Sequence, residues 1–236
     1  METLVSGARE LELGLTPRQL EQFERYYHEL VDWNRRVNLT AITGYEDVQV
    51  RHFLDSLTAV LAARSPAGLS VIDIGTGAGL PGIPLKIAFP GLRLILLEST
   101  AKKVKFLEHL VAVLALDDIE VAKGRAEELG HDPRYRERFD LVLCRAVAAL
   151  PALVELGLPF AAIGGRLVAW KKGDIGREVE ESGKAVSVLG GAFGEPVNVA
   201  IDGLRDGRCL VVVEKIKATP DTYPRRPGVP ARRPLR

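Results

Sequence analysis

The chain has 236 residues and is 47% hydrophobic, enough for one α/β domain of ordinary size plus an appendage. Its net charge of +1 gives no whole-chain attraction to polyanions, and its two cysteines, Cys144 and Cys209, sit in apolar runs with neither a disulfide framework nor metal-ligand spacing, so no metal is expected. No apolar run reaches the ~20 residues of a membrane span, and the opening METLVSGARELELG lacks the basic start and apolar core of a signal peptide; a cytoplasmic protein without membrane contact is expected.

Thr16-Pro17-Arg18-Gln19 predicts a helix start, with Thr16 as cap, Pro17 at the first position and Gln19 closing a capping box. Leu20, Phe23, Tyr27, Leu30 and Val31 follow at helical spacing, and Asn38 and Thr40 mark the exit and a new turn. A second helix is expected from about Asp47, with Val50, Phe53, Leu54, Leu57, Val60 and Leu61 on one face. His52, Asp55 and Ser56 lie beside that stripe, where a His–Asp pair can equally fix helix packing. Residues 1–65 therefore read as a helical appendage.

After Ser65-Pro66-Ala67-Gly68 the pattern becomes alternating strands and helices. Strands are predicted at 70–74, 92–97, 119–122, 140–144 and 166–170, with helices to about 89 and at 102–116, 149–161 and 178–189 between them and after the last. Gly164-Gly165 reads as the turn before the fifth strand. Val197–Ile201 and Cys209–Val213 read as a closing antiparallel pair. Repeated βαβ units imply a doubly wound parallel sheet with helices on both faces, spanning 66–218. Residues 219–236 form a Pro/Arg-rich tail. From Lys215 onward, Lys215, Lys217, Arg225, Arg226, Arg232, Arg233 and Arg236 stand against Asp221 alone, which suits either a polyanion contact or a solvated tail.

The first strand runs into Val71–Pro84, VIDIGTGAGLPGIP. Two glycine registers compete there. Gly77-Ala-Gly79-Leu-Pro-Gly82 fits the dinucleotide pattern G-x-G-x-x-G, but its first glycine does not follow directly on the strand. Asp73-Ile-Gly75-Thr-Gly77-Ala-Gly79 begins where the strand stops and has the form found in S-adenosylmethionine (AdoMet) methyltransferases. Gly82 then reads as the entry to the helix.

Ligands of open α/β sheets bind beyond the carboxyl ends of the strands. The residues there are Gly75–Gly79, Glu98, Arg125–Glu127, Arg145 and Lys171-Lys172. Glu98 follows the second strand, where an acid can accept both ribose hydroxyls of an adenosine; this suits NAD and AdoMet alike. Ala126-Glu127 would flank the adenine. Cys144-Arg145-Ala146-Val147 after the fourth strand is not the Asn/Asp-Pro-Pro-aromatic segment that accepts from an exocyclic amine, and Cys144 lies inside a strand, not on an exposed loop. An acceptor that needs no deprotonation, such as guanine N7, fits best. Arg125 and Arg145 can hold the guanine O6 side or a phosphate, or brace the strand ends. A small-molecule methyltransferase of the same fold, an NAD-binding oxidoreductase and a catalytically silent RNA scaffold remain alternatives at this point.

Eight stretches, in order along nearly the whole chain, resemble the small-subunit rRNA guanine-N7 methyltransferase family, also called glucose-inhibited division protein B. They are Trp33-Asn34-x-x-x-Asn38-Leu39-Thr40, His52-Phe53-Leu54-Asp55-Ser56-Leu57, Asp73–Pro84, Glu98-Ser99, Lys102-Lys103-x-x-Phe106-Leu107, Arg125-Ala126-Glu127-Glu128, Arg145-Ala146-Val147 and Tyr223-Pro224-Arg225-Arg226-x-Gly228-x-Pro230. The resemblance implies a Rossmann-like, AdoMet-dependent methyltransferase fold and a bacterial enzyme acting on 16S rRNA or the small ribosomal subunit, expected to be monomeric. It implies AdoMet contacts from Gly75, Gly77, Gly79, Leu80, Ala126-Glu127 and Arg145, with Glu98, Ser99 and Thr100 at the ribose. It places Asn38, His52, Asp55, Arg125 and Lys171 on the substrate side and names no general base. The basic tail, Arg225 and Arg226 included, and Lys102-Lys103-Lys105 would then contact RNA phosphates. Guanine N7 faces the deep major groove of A-form RNA, so the target must be looped or turned out of its stack. Lys172 has no assigned role.

Overall fold

A computed structural model describes residues 1–63, 68–146 and 148–235. The expected appendage boundary at 65/66, Val147 of the fourth-strand segment and Arg236 of the tail lie outside the described residues.

Helix α1 (Glu2–Glu10) opens the chain, unannounced by any cap. Helix α2 (Pro17–Val37) starts as expected, with the Thr16–Gln19 capping box formed, and ends at Asn38 in the left-handed conformation. Asn34 then turns the chain: its carboxamide oxygen accepts from the backbone of Leu39 and Thr40, and its nitrogen donates to the Thr40 carbonyl. The expected helix from Asp47 is not one piece. It comprises α3 (Tyr45–Val48), a π-helical turn (Gln49–Leu54), α4 (Asp55–Leu57) and α5 (Val60–Ala63). Single π turns occur frequently at functional sites, and this one carries His52.

Five parallel strands follow: β1 (Ser70–Ile74), β2 (Arg93–Glu98), β3 (Ile119–Lys123), β4 (Phe139–Arg145) and β5 (Ala161–Lys172). They are separated by α6 (Gly82–Ala88), α7 (Ala101–Val113), α8 (Ala126–Leu129) and α9 (Leu150–Gly157). Helix α10 (Gly176–Val188), β6 (Gly191–Phe193), β7 (Val197–Asn198) and β8 (Arg208–Lys215) complete the sheet, and α11 (Val229–Arg232) lies in the tail. Strand order is β3-β2-β1-β4-β5-β8-β6, with β8 antiparallel to β5 and β7 also paired to β8. The order reverses between β1 and β4, the switch point at which such sheets bind ligands.

Three boundaries differ from the sequence reading. The helix expected at 149–161 ends at Gly157, where a 3-10 turn of Leu158–Phe160 leads into β5. Strand β5 runs through Gly164-Gly165 instead of starting after them, because a register irregularity against β4 absorbs the glycines. The expected 197–201 strand is only Val197–Asn198, and the edge position beside β8 is shared with β6, too short to leave a periodic signal.

Successive residues of the buried strands face opposite sides, so the sheet separates two cores. Val71, Leu94, Leu96, Leu141 and Leu143 pack with α6, α7 and the appendage residues Leu4, Phe23, Tyr26, Leu30, Phe53 and Leu57. Ile72, Ile74, Val142 and Cys144 pack with Leu153, Val154, Val186 and Leu189 of α9, α10 and its end. Each fully buried Leu or Phe contributes about 1.5–3 kcal/mol, so the appendage shares the main stabilising core of the sheet.

Candidate active site

The glycine loop leaves β1 with Gly75 and Thr76 both donating to the Leu97 carbonyl, which ties it to the end of β2. Gly75, Gly77 and Gly79 all have positive φ. At Gly77 a Cβ would be strained by φ of 59° yet meet only the Gly75 oxygen at 3.9 Å, so the loop presents bare backbone beside open space. Glu98 lies under this loop. Its carboxylate accepts from the Gly77 N–H at 3.1 Å through Oε2 and from the Thr100 N–H at 2.7 Å through Oε1. One buried acid thus fixes both the glycine loop and the Ser99–Thr100 turn.

Asp73 braces the loop from inside. Its Oδ2 accepts from the Thr76 hydroxyl at 2.6 Å and from the Gly82 N–H at 2.9 Å; Oδ1 is buried without a partner. A Cβ on Gly82 would lie 2.9 Å from Leu96 Cδ2 and 3.0 Å from Asp73 Oδ2. That glycine therefore permits close helix–strand approach, and it stands at the first position of α6, as the Gly75 register requires. Burial pushes the Asp73 carboxyl up to about 6, partly offset by its two hydrogen bonds and by Arg145. Tyr26, fully buried on α2, donates to the Ala78 carbonyl at 2.5 Å and so clamps the loop from the appendage.

A second cluster lies beyond β4. The Arg145 guanidinium reaches Asp55 Oδ2 at 3.0 Å and donates to His52 Nδ1 at 2.9 Å, to Ser56 Oγ at 3.3 Å and to the Arg51 and His52 carbonyls. Because Arg145 only donates, His52 Nδ1 accepts, and its Nε2–H points to Thr40 Oγ1 at 2.8 Å. Burial, with Arg145 adding to it, lowers His52 to about 4, so the ring is neutral near pH 7. The other Asp55 oxygen accepts from Arg208 at 2.5 Å, and Arg208 in turn grips Asp206 with two N–H groups. Lys172, unassigned from sequence, pairs with Asp206 at 2.9 Å. Lys171 is paired too, 2.7 Å from Glu178, and its neighbour Trp170 donates to the Asp55 carbonyl at 3.0 Å. Ala146, straight after Arg145, has a φ of 56°, a strained value for alanine of the kind found at functional sites.

Beyond β3, Arg125 is the exposed residue preceding α8, and Ala126 and Glu127 open that helix. Glu127 Oε1 accepts from the Gly228 N–H at 2.8 Å, so the tail folds back onto this corner. The tail is anchored further in by Arg225, whose guanidinium and N–H hold the fully buried Glu155. Arg226 is exposed.

Of the expected site residues, the loop glycines, Glu98 and Thr100 form one connected unit, and His52, Asp55 and Arg145 form another. Leu80 is buried below the loop, and Ser99 is exposed beside Glu98. Asn38 is an exposed helix cap, and Arg225 braces the tail through Glu155. Sequence reading missed Tyr26, Thr40, Arg208 and Asp206. Tyr26 looks like one more core aromatic on α2, Thr40 reads only as part of the turn after α2, and the Asp206–Arg208 pair lies far in the chain from the Lys172 and Asp55 that it meets. Both cysteines are buried and their thiols are pushed up by burial, as core residues should be. Among the described residues, no group of three or more His, Cys, Asp or Glu could hold a metal ion, and no helix is long and apolar enough to cross a membrane.

A glycine loop at the switch point, an acid closing β2 and an antiparallel strand beside β5 define the Rossmann-like methyltransferase fold. An AdoMet-dependent methyltransferase from Aquifex aeolicus has the same architecture, with a TM-score of 0.54, 18% identity, and 72% of this chain and 93% of that one covered. The model of the GidB family, rRNA small subunit methyltransferase G, matches residues 19–199. Ribosomal RNA small subunit methyltransferase G of Dehalococcoides mccartyi is 50% identical over 235 residues, all of both chains, and that of a Roseiflexus species is 49% identical with equally full coverage. The chain belongs to this methyltransferase family.

Proposed function

We propose that this chain transfers the methyl group of AdoMet to N7 of a guanine in 16S rRNA, acting in the cytoplasm as a monomer without metal. The family supports methyl transfer to small-subunit rRNA. The observation that carries the N7 assignment is that the polar groups beyond β4 are already engaged. Asp55 is gripped by Arg145 and Arg208, and His52 is held neutral between Arg145 and Thr40. None of these is poised to remove a proton, and guanine N7 attacks with a lone pair and loses none.

The residues present fit an adenosine-bearing group: a loop bare of Cβ at Gly77 and a carboxylate beneath it. When bound, AdoMet supplies a methyl group on a positively charged sulfur. Gly75, Gly77, Gly79 and Leu80 would line it, with Glu98, Ser99 and Thr100 at the ribose and Ala126-Glu127 at the adenine. Arg145 fixes the β4 end, and through it the π-helical turn bearing His52 and Asp55, so that the acceptor side is set relative to the glycine loop. Arg125, in no ion pair among the described residues, is the candidate for guanine O6 or an adjacent phosphate. Asn38, His52 and Lys171 border that acceptor side. Catalysis is then chiefly alignment in a dry pocket, where well-oriented reactants gain up to about 7–11 kcal/mol.

The test uses labelled AdoMet with 16S rRNA and with 30S particles lacking the modification. Transferred label is expected in RNA and is released by cleavage chemistry specific for 7-methylguanosine. Label that resists that chemistry overturns the N7 assignment. kcat/KM is expected to stay level from pH 6 to 8.5; a rising limb in that range would reveal a general base.

A further inference from the structure

The cations on the two sides of the site are treated differently. On the β4–β5 side Arg145, Arg208, Lys171 and Lys172 each have a carboxylate within 3.0 Å. On the β2–β3 side Lys102, Lys105, Lys123 and Arg125 are exposed and enter no ion pair among the described residues. The same holds for Arg226 and Arg232 of the tail; Arg232 only donates to the Gly228 carbonyl.

These cations follow the carboxyl ends of β2 and β3, with Lys102 and Lys105 on α7, Lys123 and Arg125 at the end of β3, and Arg226 and Arg232 on the tail that folds against α8. Lys102 stands in the first turn of α7, just after Thr100, whose N–H is bonded to Glu98. Lys123 is the register partner of Glu98 in the neighbouring strand, and Arg125 follows two residues later. Glu127 then bonds the Gly228 N–H, and His131 Nε2 lies 2.7 Å from the Pro224 carbonyl, which bracket Arg226 against α8. A cavity of about 570 Å³ between α8 and the tail lies along this path, walled by His131, Pro224, Pro227 and Val229 among others. The acids on the strip are fewer: Glu108, Glu127 and Glu128 stand against the six cations, and Glu127 keeps its charge while accepting from the Gly228 N–H. The tail is held in place without spending Arg226 or Arg232, because Arg225 alone meets the buried Glu155.

We infer that this strip, from α7 across the β3 end to the folded-back tail, is the docking surface for the RNA backbone flanking the target nucleotide, whereas the paired cations beyond β4 only shape the acceptor side. Phosphates demand cations whose charge is not already neutralised. A strip that begins beside Glu98 and ends on the tail guides a strand past the mouth of the site. The inference rests on the rRNA substrate reading above.

A triple variant Lys105→Ala, Arg226→Ala, Arg232→Ala tests it against an Arg18→Ala, Arg93→Ala control, whose side chains are exposed at the opposite end of the sheet. Affinity for 16S rRNA is measured as a function of salt. The strip variant is expected to bind roughly 10–100-fold more weakly at low salt. Its log–log salt slope should be shallower by about 2, since each phosphate contact on single strands contributes about 0.7. Affinity for AdoMet and the melting temperature should stay at wild-type values, and the control should bind RNA like wild type. Arg226→Lys with Arg232→Lys should restore the slope, separating charge from fold. An unchanged slope, or an equal loss in the control, overturns the inference. So does a loss confined to anionic phospholipid vesicles with RNA binding intact. Methyl transfer by the wild type is read separately: its failure counts against the function proposed, while an unaltered slope in a transferring enzyme counts against the docking strip alone.

Discussion

Burial moves Asp73 up to about 6 and His52 down to about 4, because in each case it disfavours the charged form. The two therefore pull stability in opposite directions over one pH range. Between about pH 4 and 6 Asp73 keeps its proton when folded and loses it when unfolded, so its contribution is present below that range and lost as pH rises. His52 is neutral when folded and protonated when unfolded, so its contribution is lost as pH falls through the same range. At about 1.4 kcal/mol per pH unit the two slopes nearly cancel in the wild type. Asp73→Asn should therefore gain stability relative to wild type as pH goes from 4 to 6, and His52→Asn should lose it. Urea midpoints at several pH values read this; parallel curves for all three proteins would show that neither group is perturbed. Glu98 acts through two backbone N–H groups, and Glu98→Gln would turn an amide N–H toward one of them. Calorimetry should show AdoMet binding weakened about tenfold, or about 1.4 kcal/mol, with rRNA affinity changed less. The reverse order would mean that Glu98 does not serve the cofactor side.

The tail separates a bracing arginine from its neighbour. Arg225→Ala strands the fully buried Glu155 carboxylate and should cost about 3–5 kcal/mol, whereas Arg226→Ala, at an exposed position, should stay within about 0.5 kcal/mol. Chemical denaturation distinguishes them, and equal costs would mean that the Glu155 pair does not anchor the tail. Nothing in Arg225-Arg226 told the two apart in sequence, because the partner lies 70 residues away. The same limit explains the other misses. Strands β1, β2 and β4 were legible because buried parallel strands are largely apolar runs, whereas β3, an edge strand with exposed Glu120 and Lys123, was legible chiefly from its place in the strand–helix alternation. The Thr16–Gln19 cap and the Gly75 register were legible because their chemistry is local. The π-helical turn at Gln49–Leu54 was not, since its apolar spacing passes for an α-helix. At the site, Glu98 and the loop glycines could be picked out by their place after a strand. Tyr26 and Arg208 could not, because they act on residues 52 and 153 positions away.

The expected appendage is not peripheral in its packing. Phe23, Tyr26, Leu30 and Phe53 share one cluster with Val71, Leu94 and Leu141 of the sheet, and the Tyr26 hydroxyl closes onto the glycine loop. Gln19 adds bonds to the Ile87 and Ala88 carbonyls at the end of α6, and Gln22 one to Leu114. An appendage held this way has no separate core to melt, so the chain should unfold as one cooperative unit. Its two tryptophans are placed to report this. Trp33 on α2 packs on Phe106 and His109 of α7, with Arg36 over its ring, whereas Trp170 is buried in β5. In Trp33→Phe the remaining fluorescence follows β5 and its contact with α4, since Trp170 donates to the Asp55 carbonyl; in Trp170→Phe it follows the seam between appendage and α7. Within each variant the urea midpoint by fluorescence should coincide with that by far-UV circular dichroism, even though the two variants differ from each other in stability. An earlier fluorescence transition in Trp170→Phe would mean that the helical segment detaches before the sheet unfolds. The glycine loop would then lose its Tyr26 clamp under conditions that leave the sheet intact, and AdoMet affinity would fall at that earlier midpoint. Coincident midpoints, with AdoMet raising both equally, would place the loop, the clamp and the sheet in a single folding unit.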